Sequence, residues 1–574
     1  MPRGGDNHYL KKIPVNYPLY ADAPNIALSV LGSNLTNGFI EKLPDAENQW
    51  ITRKRPGLST PFAALSTVYG IQGLWWWDNK QLVVAVCNGV LYTINQQGTV
   101  TQLTGATLNT TGRVVFSAAN EDGSYFAAAN GGNIVCCLGG STVFAINPTT
   151  ISSFSGTVST SGTALTFSDS GDCALCSDGT TITAAGSTCL IVAITGSTTA
   201  TLASAPLTPW STTAITSITT FAGAPTAVSH VAYMDGYLLA NQVGTAQFYW
   251  SAINDFSQWS NSAFTAQYAT EESQPQNIMA LDAQFDEIRI IGTQSIEYWY
   301  NNASSTIAGA PFAKYEGATS MRGTKSPYSF VFANNTHWFL DSYRHLCRLQ
   351  VRTPQVVSTP FASVLQAIPQ VNDAFILPIM SDGKEWLVCI FPSSATSVVY
   401  DLRSDSYVGQ WSYYNTAIGQ FQPWSVSCYC FCPAWGIHLA GDRANGNIYE
   451  IGLSYPSDNG NPIRMVKQTG WVDHGHKRRK IASKMRLTLE RGVGISGAKP
   501  TDTAPLMMYS YRDDGNETWS NEQEVSLGKV GDTYAIGELN RLGKYRSRQH
   551  QFAISDAVPL TIVDAEEEGE TLLN

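Results

Sequence analysis

Short runs of alternating apolar and polar residues, separated by tight turns, recur along most of the chain. One such unit runs through Leu82–Cys87, turns at Asn88-Gly89 and continues through Val90–Ile94. In a second unit, Asp235-Gly236 separates two runs rich in β-branched and aromatic residues. Asn-Gly and Asp-Gly pairs between such runs are strong hairpin signals, because these residues tolerate the positive φ that tight hairpin turns need. The pattern predicts a protein built of β-hairpins.

The same pattern of strand, turn and strand recurs at irregular intervals. It occurs at 73–94, 233–250, 278–300, 330–349, 375–411 and 426–451, with a less regular copy at 123–146. Repeats of roughly 25 to 45 residues, each too small to bury its own apolar face, are typical of propeller blades. We therefore expect an all-β fold, a six- to seven-bladed irregular β-propeller. A set of ordinary β-sandwiches with similar hairpins is the alternative that the spacing leaves open.

One region inside the repeats does not follow this pattern. Thr, Ser, Ala and Gly dominate 149–229, and 157–167 alternates strictly with Thr as the strand-forming residue. This pattern predicts a small inserted β-domain. A flexible, disordered linker is the alternative, since tracts rich in Ser and Gly also make flexible segments.

The remaining boundaries follow from composition. Residues 1–60 are expected to form an extended N-terminal arm, because Pro14 and Pro18 disfavour a helix there. The first propeller blades are expected at 61–148 and the remaining blades at 230–455.

A linker-like stretch precedes a basic C-terminal region. We expect a C-terminal β-sandwich, or platform domain, at 465–565, a size usual for that class. Its predicted strands lie at 481–489, 506–511, 548–554 and 560–563. The acidic run within 566–574 is expected to be a solvated tail.

Composition narrows the class of protein. With 574 residues the chain is too long for one hydrophobic core, so two or three domains are expected. No apolar run is long enough to span a bilayer, and Met1 to Lys12 lacks the apolar core of a secretory signal. We expect a soluble protein with no membrane span, made in a cytoplasm, whose 11 cysteines are mainly buried thiols.

Charge is distributed unevenly along the chain. The formal net charge is −10, yet no Lys or Arg lies between Val114 and Glu287. The carboxylates of that stretch are Glu121, Asp122, Asp169, Asp172, Asp178, Asp235, Asp255, Glu271, Glu272, Asp282, Asp286 and Glu287. Such a region repels a polyanion at short range.

A basic run near the start of the C-terminal domain is a candidate interface. Its residues are His474, His476, Lys477, Arg478, Arg479 and Lys480. A run of this kind can bind phosphate or an acidic partner, and a solvated inter-domain loop is the alternative. Interleaved aromatic residues do not accompany it, so recognition of single-stranded nucleic acid is not expected.

The sequence contains no familiar catalytic motif. It has no HExxH and no G-x-S-x-G elbow, and 317–326 does not match a phosphate loop. Cys173 and Cys176 have the spacing of a metal pair but lack a fourth ligand at zinc spacing. We expect no enzyme, no cofactor and no metal, although carboxylates from different blades could still converge.

One cassette, between Trp250 and Tyr300, carries a family signature. Its distinctive parts are Ala266-Gln267-Tyr268, the ESQP at 272–275 and the GTQSIEY at 292–298. Together with the prolines near the start and the RPGL at 55–58, the cassette resembles the packaged-DNA stabilisation protein of short-tailed bacteriophages, the podovirus type. The resemblance extends over most of the chain and is weakest in the insertion.

The resemblance implies a structural virion protein. In that family a homo-hexameric ring forms the hub, or nozzle, of the tail below the portal and its adaptor ring. It retains packaged DNA and forms the channel for genome ejection. Tail fibres or tailspikes attach around it, and a tail needle or internal gate closes its far end. The implied location is the virion tail, after assembly in the host cytoplasm.

The charge pattern suggests how double-stranded DNA would pass. Duplex DNA carries one negative charge per ~1.7 Å, so a basic channel would grip it and an acidic channel would let it slide. We hypothesise that part of the stretch without Lys or Arg lines the channel, the alternative being an exposed, neutral insertion. The candidate channel-lining residues are Asp235, Asp255, Glu271, Glu272, Asp282, Asp286 and Glu287.

Two further functions compete with a tail hub. A propeller glycosidase acting on host surface polysaccharide would need clustered carboxylates at one mouth of the propeller. A glycan-binding propeller would bind sugar without any phage partner. For the hub, a six-fold ring needs an interface between two different patches, for which the C-terminal sandwich and the arm at 7–25 are candidates.

Overall fold

A computed structural model describes residues 8–15, 33–42, 50–176, 180–260, 267–302, 311–489, 504–529, 531–532 and 537–572. Within these ranges nearly all regular structure is β-strand, so the all-β prediction is confirmed. The helices described are the α-helices Ser170–Ala174 and Ala362–Gln366 and the 3-10 turns Asp78–Lys80, Thr359–Phe361 and Pro392–Ser394.

Sheets of four consecutive antiparallel strands make up the larger part of the described chain, and we number them sheets 1 to 7. Sheet 1 is Ile71–Trp77, Leu82–Cys87, Val90–Ile94 and Val100–Gln102; sheet 2 is Val115–Ala118, Phe126–Ala129, Ile134–Cys137 and Thr142–Ile146, with Thr104–Gly105 added in parallel; sheet 3 is Val231–Met234, Tyr237–Asn241, Gln247–Trp250 and Tyr268–Thr270; sheet 4 is Ile278–Gln284, Glu287–Gly292, Ile296–Asn301 and Phe312–Lys314. Sheet 5 is Val331–Ala333, Thr336–Leu340, Leu346–Gln350 and Thr353–Val356; sheet 6 is Phe375–Ser381, Lys384–Phe391, Thr396–Asp401 and Ser406–Gly409; sheet 7 is Val426–Cys432, Ile437–Asp442, Asn447–Gly452 and Gly57–Ala64, extended by Ser457–Asp458 and Asn461–Pro462. A separate hairpin, Ser412–Asn415 with Gln420–Pro423, lies between sheets 6 and 7.

Sheet 7 is closed by a strand from near the start of the chain. Gly57–Ala64 pairs antiparallel with Asn447–Gly452 and becomes the fourth strand of that sheet. The first strands of sheets 7 and 1 lie side by side, and the Ser427 hydroxyl donates a 2.7 Å hydrogen bond to the Ile71 carbonyl. The series of sheets therefore closes on itself, held by backbone hydrogen bonds between the two ends of the propeller sequence.

The inserted segment forms a small barrel. Its strands are Thr149–Ile151, Thr157–Ser161, Ala164–Phe167, Thr181–Ala184, Ser187–Ile194, Thr199–Leu202 and Thr213–Thr220. Thr213–Thr220 pairs with Thr157–Ser161 and also with Thr181–Ala184, which closes the sheet on itself. Alternate residues such as Val158, Leu165 and Ile182 fill its interior and leave Thr and Ser outside. A disordered linker is therefore wrong for the described part of this segment.

The C-terminal sandwich is completed by strands from the N-terminus. Sheet 8 has the order Gly38–Lys42, Trp50–Lys54, Thr561–Thr571, Lys480–Leu489 and Gly537–Tyr545, with His8–Lys12 also paired to Thr561–Thr571. Sheet 9 has the order Asn34–Thr36, Met465–Gln468, Arg548–Ile554, Leu506–Asp513 and Gln523–Ser526. The N-terminal region is thus not only an extended arm, since its described residues supply strands to both sheets.

The solvated acidic tail is a wrong prediction for the described residues up to 572. Thr561–Thr571 is one continuous strand that pairs with Lys480–Leu489 along its length. The Glu567 side chain is fully buried, and it accepts hydrogen bonds from the phenol groups of Tyr545 and Tyr9. Buried partners compensate a carboxylate that sequence composition alone would place in water.

Tryptophan residues join the propeller to the sandwich. The ring of Phe39 lies 5.1 Å from Trp386, which lies 5.3 Å from Trp411, which in turn lies 5.3 Å from Trp424. These residues belong to one continuous apolar core that spans both units. Burial of large aromatic side chains stabilises such a junction strongly, so the two units are not independent.

Candidate functional site

The antiparallel sheets give the ring two different faces. In each sheet the turns after the first and third strands lie at one end, which we call the hairpin face. The turn after the second strand and the link to the next sheet lie at the other end, the connection face. This arrangement follows from the alternating strand directions in sheets 1 to 6.

The candidate channel-lining carboxylates divide between these two faces. Asp235 and Asp286 are exposed in first turns, on the hairpin face. Asp255 lies in the third connection of sheet 3, where its carboxylate accepts hydrogen bonds from the backbone and hydroxyl of Ser257. Glu272 is exposed in the link between sheets 3 and 4, on the connection face. The candidates therefore do not form a single acidic surface.

Two of the candidate carboxylates form ion pairs within the fold. Glu287 is buried and accepts from Arg289 at 2.8 Å and from Arg352 at 2.7 Å. Asp282 lies 2.9 Å from His337 Nε2 and 3.5 Å from Arg289. Their charges are compensated within sheets 4 and 5, so neither presents a free carboxylate to a channel.

Glu271 is buried in the link between sheets 3 and 4. Its Oε1 accepts from the Ser295 hydroxyl at 2.8 Å and from the amide of Gln276, while Oε2 has no hydrogen-bond partner. Burial raises the pKa of Glu271 to about 7, with the nearby Glu297 carboxylate adding to the shift and the two hydrogen bonds opposing it. A residue so enclosed cannot line a channel as a fixed charge.

Glu297 is the charged centre of the signature. It is fully buried, and its Oε1 accepts from Lys314 Nζ at 2.8 Å and from the backbone N–H groups of Glu272 and Ser273 at 3.0 and 2.6 Å. Its Oε2 accepts from the Trp299 indole at 3.1 Å. Burial opposes ionisation, but these hydrogen bonds and the Lys314 charge hold the pKa of Glu297 below its usual value.

The first half of the signature, together with Gln276 that directly follows it, packs against the second half. A Cβ added to Gly292 would lie 2.3 Å from the amide carbon of Gln276, so the close approach requires glycine. The Gln276 side chain in turn accepts from the Gln294 backbone at 2.6 Å. The signature therefore clamps the link after sheet 3 onto the second turn of sheet 4, which is a structural role.

Replacing Glu271 by Gln should change how stability depends on pH. Because the pKa is raised in the folded chain, Glu271 contributes less stability as pH rises from about 4.5 to about 7. Glu271→Gln removes this loss. We therefore expect the free energy of unfolding of the variant, minus that of the wild type, to be larger at pH 8 than at pH 5. Chemical unfolding at both pH values measures it. An identical difference at both values would contradict the buried, titrating carboxyl.

Side chains fill the centre of the ring at the connection face. Arg113, before sheet 2, has its guanidinium carbon 3.8 Å from the ring centre of Phe375 in sheet 6 and donates to the Ser427 carbonyl in sheet 7. Tyr328, before sheet 5, lies 6.0 Å from that guanidinium carbon. It also stacks on His230, before sheet 3, at 5.4 Å. Residues from different sheets thus meet across the axis and close it.

Burial sets the protonation of this central cluster. It lowers the pKa of Arg113 to about 10 and that of His230 to about 4. At neutral pH the cluster therefore holds one cation over aromatic rings, a favourable arrangement for a buried guanidinium, beside a neutral imidazole.

The candidate basic interface is only partly a surface. The His474 side chain is buried, with Nε2 3.0 Å from the Tyr545 hydroxyl and 3.4 Å from Glu567. Lys480 is also buried and donates to the backbone carbonyls of His476, Arg478 and Arg546. These two residues hold the loop in place rather than contact a partner.

The rest of the basic run is accessible. Lys477, Arg478 and Arg479 are exposed, and Lys477 pairs with Asp473 at 3.2 Å. His476 is half-buried, and its pKa is lowered by burial and by the neighbouring cations. The exposed cations leave a smaller basic surface than the sequence suggested.

Sequence reasoning missed three buried charges that organise the fold. Arg113 is the last basic residue before the stretch without Lys or Arg. That isolation is a sequence signal for a specific structural role. Glu297 lies inside the quoted signature, but its partner Lys314 is distant in sequence. Arg55 lies in the RPGL motif and forms a bidentate ion pair with Asp458 at 2.6 and 3.0 Å.

Within the described ranges, no His, Cys, Asp and Glu cluster could hold a metal ion. The cysteines are free thiols, and all but Cys176 are buried. No helix in the described parts of the chain is long and apolar enough to cross a membrane.

Comparison with known proteins identifies the family. None of the curated proteins matches the sequence. Among solved structures, the extracellular domain of BT4673, assigned as a one-component system of B. thetaiotaomicron, is 9% identical with a TM-score of 0.24 and covers 88% of this chain and 80% of its own. At that TM-score the likeness supports no conclusion about this chain.

A family model described as bacteriophage P22 Gp10, β-propeller, matches residues 152–454, more than half of the sequence. The match runs from the barrel to the third strand of sheet 7 and includes the whole signature. It confirms the family-level prediction and a β-propeller fold. The chain therefore belongs to the phage stabilisation family of bacteriophage P22 Gp10, a family of β-propeller structural proteins of the phage tail.

Proposed function

We propose that this chain forms the hub, or nozzle, of a short phage tail, below the portal and its adaptor ring. There it would retain packaged DNA and form the channel through which the genome leaves. The family match supports this function. We infer that sheets 1 to 7 are seven blades, since each has the four antiparallel strands of a blade and the series closes on itself.

The filled ring axis is the observation that supports a DNA path outside the propeller. Arg113, Tyr328 and Phe375 fill the centre of the propeller, while duplex DNA has a major groove alone about 12 Å wide. This favours a DNA channel between copies of the chain over one through the propeller axis. This supports a six-copy ring whose central axis, and not the propeller axis, carries the genome.

Fewer carboxylates can line the proposed channel than the sequence suggested. Of the candidate carboxylates, Asp235, Glu272 and Asp286 are exposed and can present charge to a channel. Asp235 and Asp286 lie on the hairpin face, and Glu272 lies on the connection face. A channel lined by one face would therefore contain either the two aspartates or the glutamate. An acidic surface of this kind would repel the DNA backbone and allow it to slide.

Assembly requires contacts with other proteins. The proposed partners are the adaptor ring above the hub, tail fibres or tailspikes around it and a needle or internal gate below it. The exposed Lys477, Arg478 and Arg479 offer one basic contact surface. Most of the candidate arm at 7–25 lies outside the described residues. The place of assembly is proposed to be the host cytoplasm and the final location the virion tail.

No catalytic activity is part of this proposal. A cleft of about 400 Å³ near the end of sheet 7 contains the carboxylates of Asp442 and Asp458. Asp458 is paired with Arg55, and Asp442 accepts hydrogen bonds from its own turn. The ion pair leaves Asp458 unable to act as acid or nucleophile, and Asp442 alone does not make the carboxylate pair that a glycosidase uses, so the cleft gives no support to a propeller glycosidase. Hydrolysis of capsule or lipopolysaccharide by the purified chain would contradict the proposal.

The proposed function is tested with particles that lack this chain. They are expected to package DNA and then lose it, so the DNA becomes sensitive to added nuclease. Supplying the wild-type chain should restore retention, and an antibody to the chain should label the tail in negative-stain images. Particles that keep nuclease-resistant DNA without the chain would contradict a role in retention.

A further inference from the structure

Two turns on the hairpin face carry large apolar residues in an unfavourable backbone conformation. Phe285 is the first central residue of the first turn in sheet 4, with φ 54°, and is 67% exposed. Val351 is the first central residue of the last turn in sheet 5, with φ 56°, and is 87% exposed. Positive φ is unfavourable for bulky and especially for β-branched residues. Both residues therefore combine backbone strain with exposure of apolar surface.

Other turns of the same propeller use residues suited to this conformation. The first turns of sheets 3, 5 and 6 contain Asp235-Gly236, Asn334-Asn335 and Asp382-Gly383. Asn, Asp and Gly tolerate positive φ with little strain. The turn geometry therefore does not explain Phe285 and Val351. Strain that the fold does not require points to a function of the side chains themselves.

The two turns lie beside each other, joined by an ion pair and by a ring contact. Arg352, next to Val351, donates a 2.7 Å hydrogen bond to Glu287, which directly follows the Phe285 turn. The Phe285 ring lies 5.5 Å from the ring of the half-buried Phe332 in sheet 5. We call the surface made by Phe285, Phe332 and Val351 the apolar knob. Exposed apolar residues grouped on neighbouring turns are typical of a protein contact site.

Acidic groups border the apolar knob. Asp286 is exposed in the same turn as Phe285. The nearby cations Arg289 and Arg352 are both paired with Glu287. The three carboxylates Asp282, Asp286 and Glu287 outnumber the two guanidinium groups, so the border of the knob is acidic on balance. A fitting partner surface would be apolar with a basic border.

The C-terminal domain of the same chain carries such a basic border. Lys477, Arg478 and Arg479 are exposed there. The segment around Arg512 meets this basic run at Arg546, whose carbonyl accepts from Lys480 and whose N–H donates to Asp514. The Arg512 guanidinium carbon lies 5.5 Å from the Trp471 ring and 4.8 Å from the Trp519 ring, and both indoles are half-buried. This surface combines aromatic rings with positive charge, so it matches the apolar centre of the knob and is opposite in charge to its border.

We propose that the apolar knob of one copy docks on the basic, tryptophan-bearing surface of the C-terminal domain of a second copy. This rests on the proposed ring, because a closed ring of identical chains joins two different patches at each contact. The aromatic and apolar groups supply the buried centre of the contact. The acidic and basic borders fix its orientation and favour encounter.

A pair of turn-compatible substitutions separates docking from folding. Phe285→Asn and Val351→Gly place residues favoured at these positions, so the double variant should have an equal or higher melting temperature. Its self-association should be at least ~10-fold weaker by light scattering, since apolar anchors dominate such contacts. Leu207→Asn is the matched control. Leu207 is 101% exposed and does not have positive φ, so its replacement should leave association unchanged.

The partner surface is tested with the full-length chain and with assembled rings. Lys477→Glu combined with Arg478→Glu should weaken association to a similar degree. A photo-cross-linking residue at Val351 should attach to the C-terminal domain of a second copy. Attachment to a different virion protein, or a double variant that associates as well as wild type, would overturn this docking while leaving the ring intact. A wild-type chain that stays monomeric, alone and with the adaptor, would overturn the ring itself.

Discussion

Arg55→Leu should destabilise the protein by about 3–5 kcal/mol, the usual cost of leaving one partner of a buried ion pair alone. The Arg55 guanidinium is fully buried and makes five hydrogen bonds, to both carboxylate oxygens of Asp458, to Asn37 and to the carbonyls of Pro56 and Ser412. It also lies over the Trp424 ring at 5.3 Å. Chemical unfolding followed by tryptophan fluorescence would measure the effect.

Two comparisons make this prediction specific. Arg53→Leu, two residues away, removes a partly exposed pair with Glu41 at 3.4 Å and should cost no more than ~1 kcal/mol. Asp458→Leu combined with Arg55→Leu should recover much of the loss, because no charge is then left buried without a partner. A single Arg55→Leu variant as stable as Arg53→Leu would show that the pair does not hold the fold.

The location of Arg55 explains why the loss should spread through the protein. It joins the N-terminal segment, the hairpin that follows sheet 6 and the connector that leaves sheet 7. The residues after it, Gly57–Ala64, form the closing strand of the ring. Loosening this point should therefore expose both the sheet 7 edge and the propeller–sandwich junction, which limited proteolysis would detect.

Glu297→Gln should destabilise the signature clamp by about 3–5 kcal/mol, since Lys314 would lose its buried partner. The neutral amide can still accept one or two hydrogen bonds, but it cannot compensate the lysine charge. Its N–H₂ group would also face the donors that now surround the carboxylate. Unfolding curves at neutral pH would measure the change.

A nearby exposed carboxylate provides the control. Glu316→Gln removes the charge of an exposed side chain two residues after Lys314 and should change stability by less than ~0.5 kcal/mol. Glu297→Leu with Lys314→Met should be more stable than Glu297→Gln alone, since it removes the uncompensated lysine charge. If Glu297→Gln and Glu316→Gln behaved alike, the signature would not act as a clamp.

These two sites show a common use of buried charge in this protein. Arg55 with Asp458 fixes the closing point of the ring, and Glu297 with Lys314 fixes a link between two sheets. Each pair joins segments that are otherwise connected by loops. Buried, fully hydrogen-bonded ion pairs of this kind fix one geometry because a shifted geometry leaves a charge without partners.

Much of the propeller could be predicted from local sequence. Pairs such as Asn88-Gly89 and Asp235-Gly236 define hairpins because few residues tolerate their backbone conformation. Repetition of hairpins too small to fold alone then indicates a propeller. The Phe285 turn carries no such signal, although it has the same positive φ.

Other parts required contacts between segments far apart in sequence. The acidic run that begins at Glu566 looks solvated by composition, but up to Glu570 it is paired on both sides, by Lys480–Leu489 and by His8–Lys12. The carboxylates chosen as channel residues include Glu271 and Glu287, whose partners lie in the second turn of sheet 4 and in the last turn of sheet 5. Composition identifies the charges, but it cannot say which of them find a buried partner.

The sequence by itself determined the strand and turn pattern, the inserted segment, the uneven charge and the family signature, because each depends on residues close together along the chain. Only the tertiary structure decided that the ring axis is filled by Arg113, that N-terminal strands complete both the ring and the sandwich, and that the signature is a clamp. Those features arise from packing and hydrogen bonds between distant segments. Their free energy depends on burial, which no local pattern of residues records.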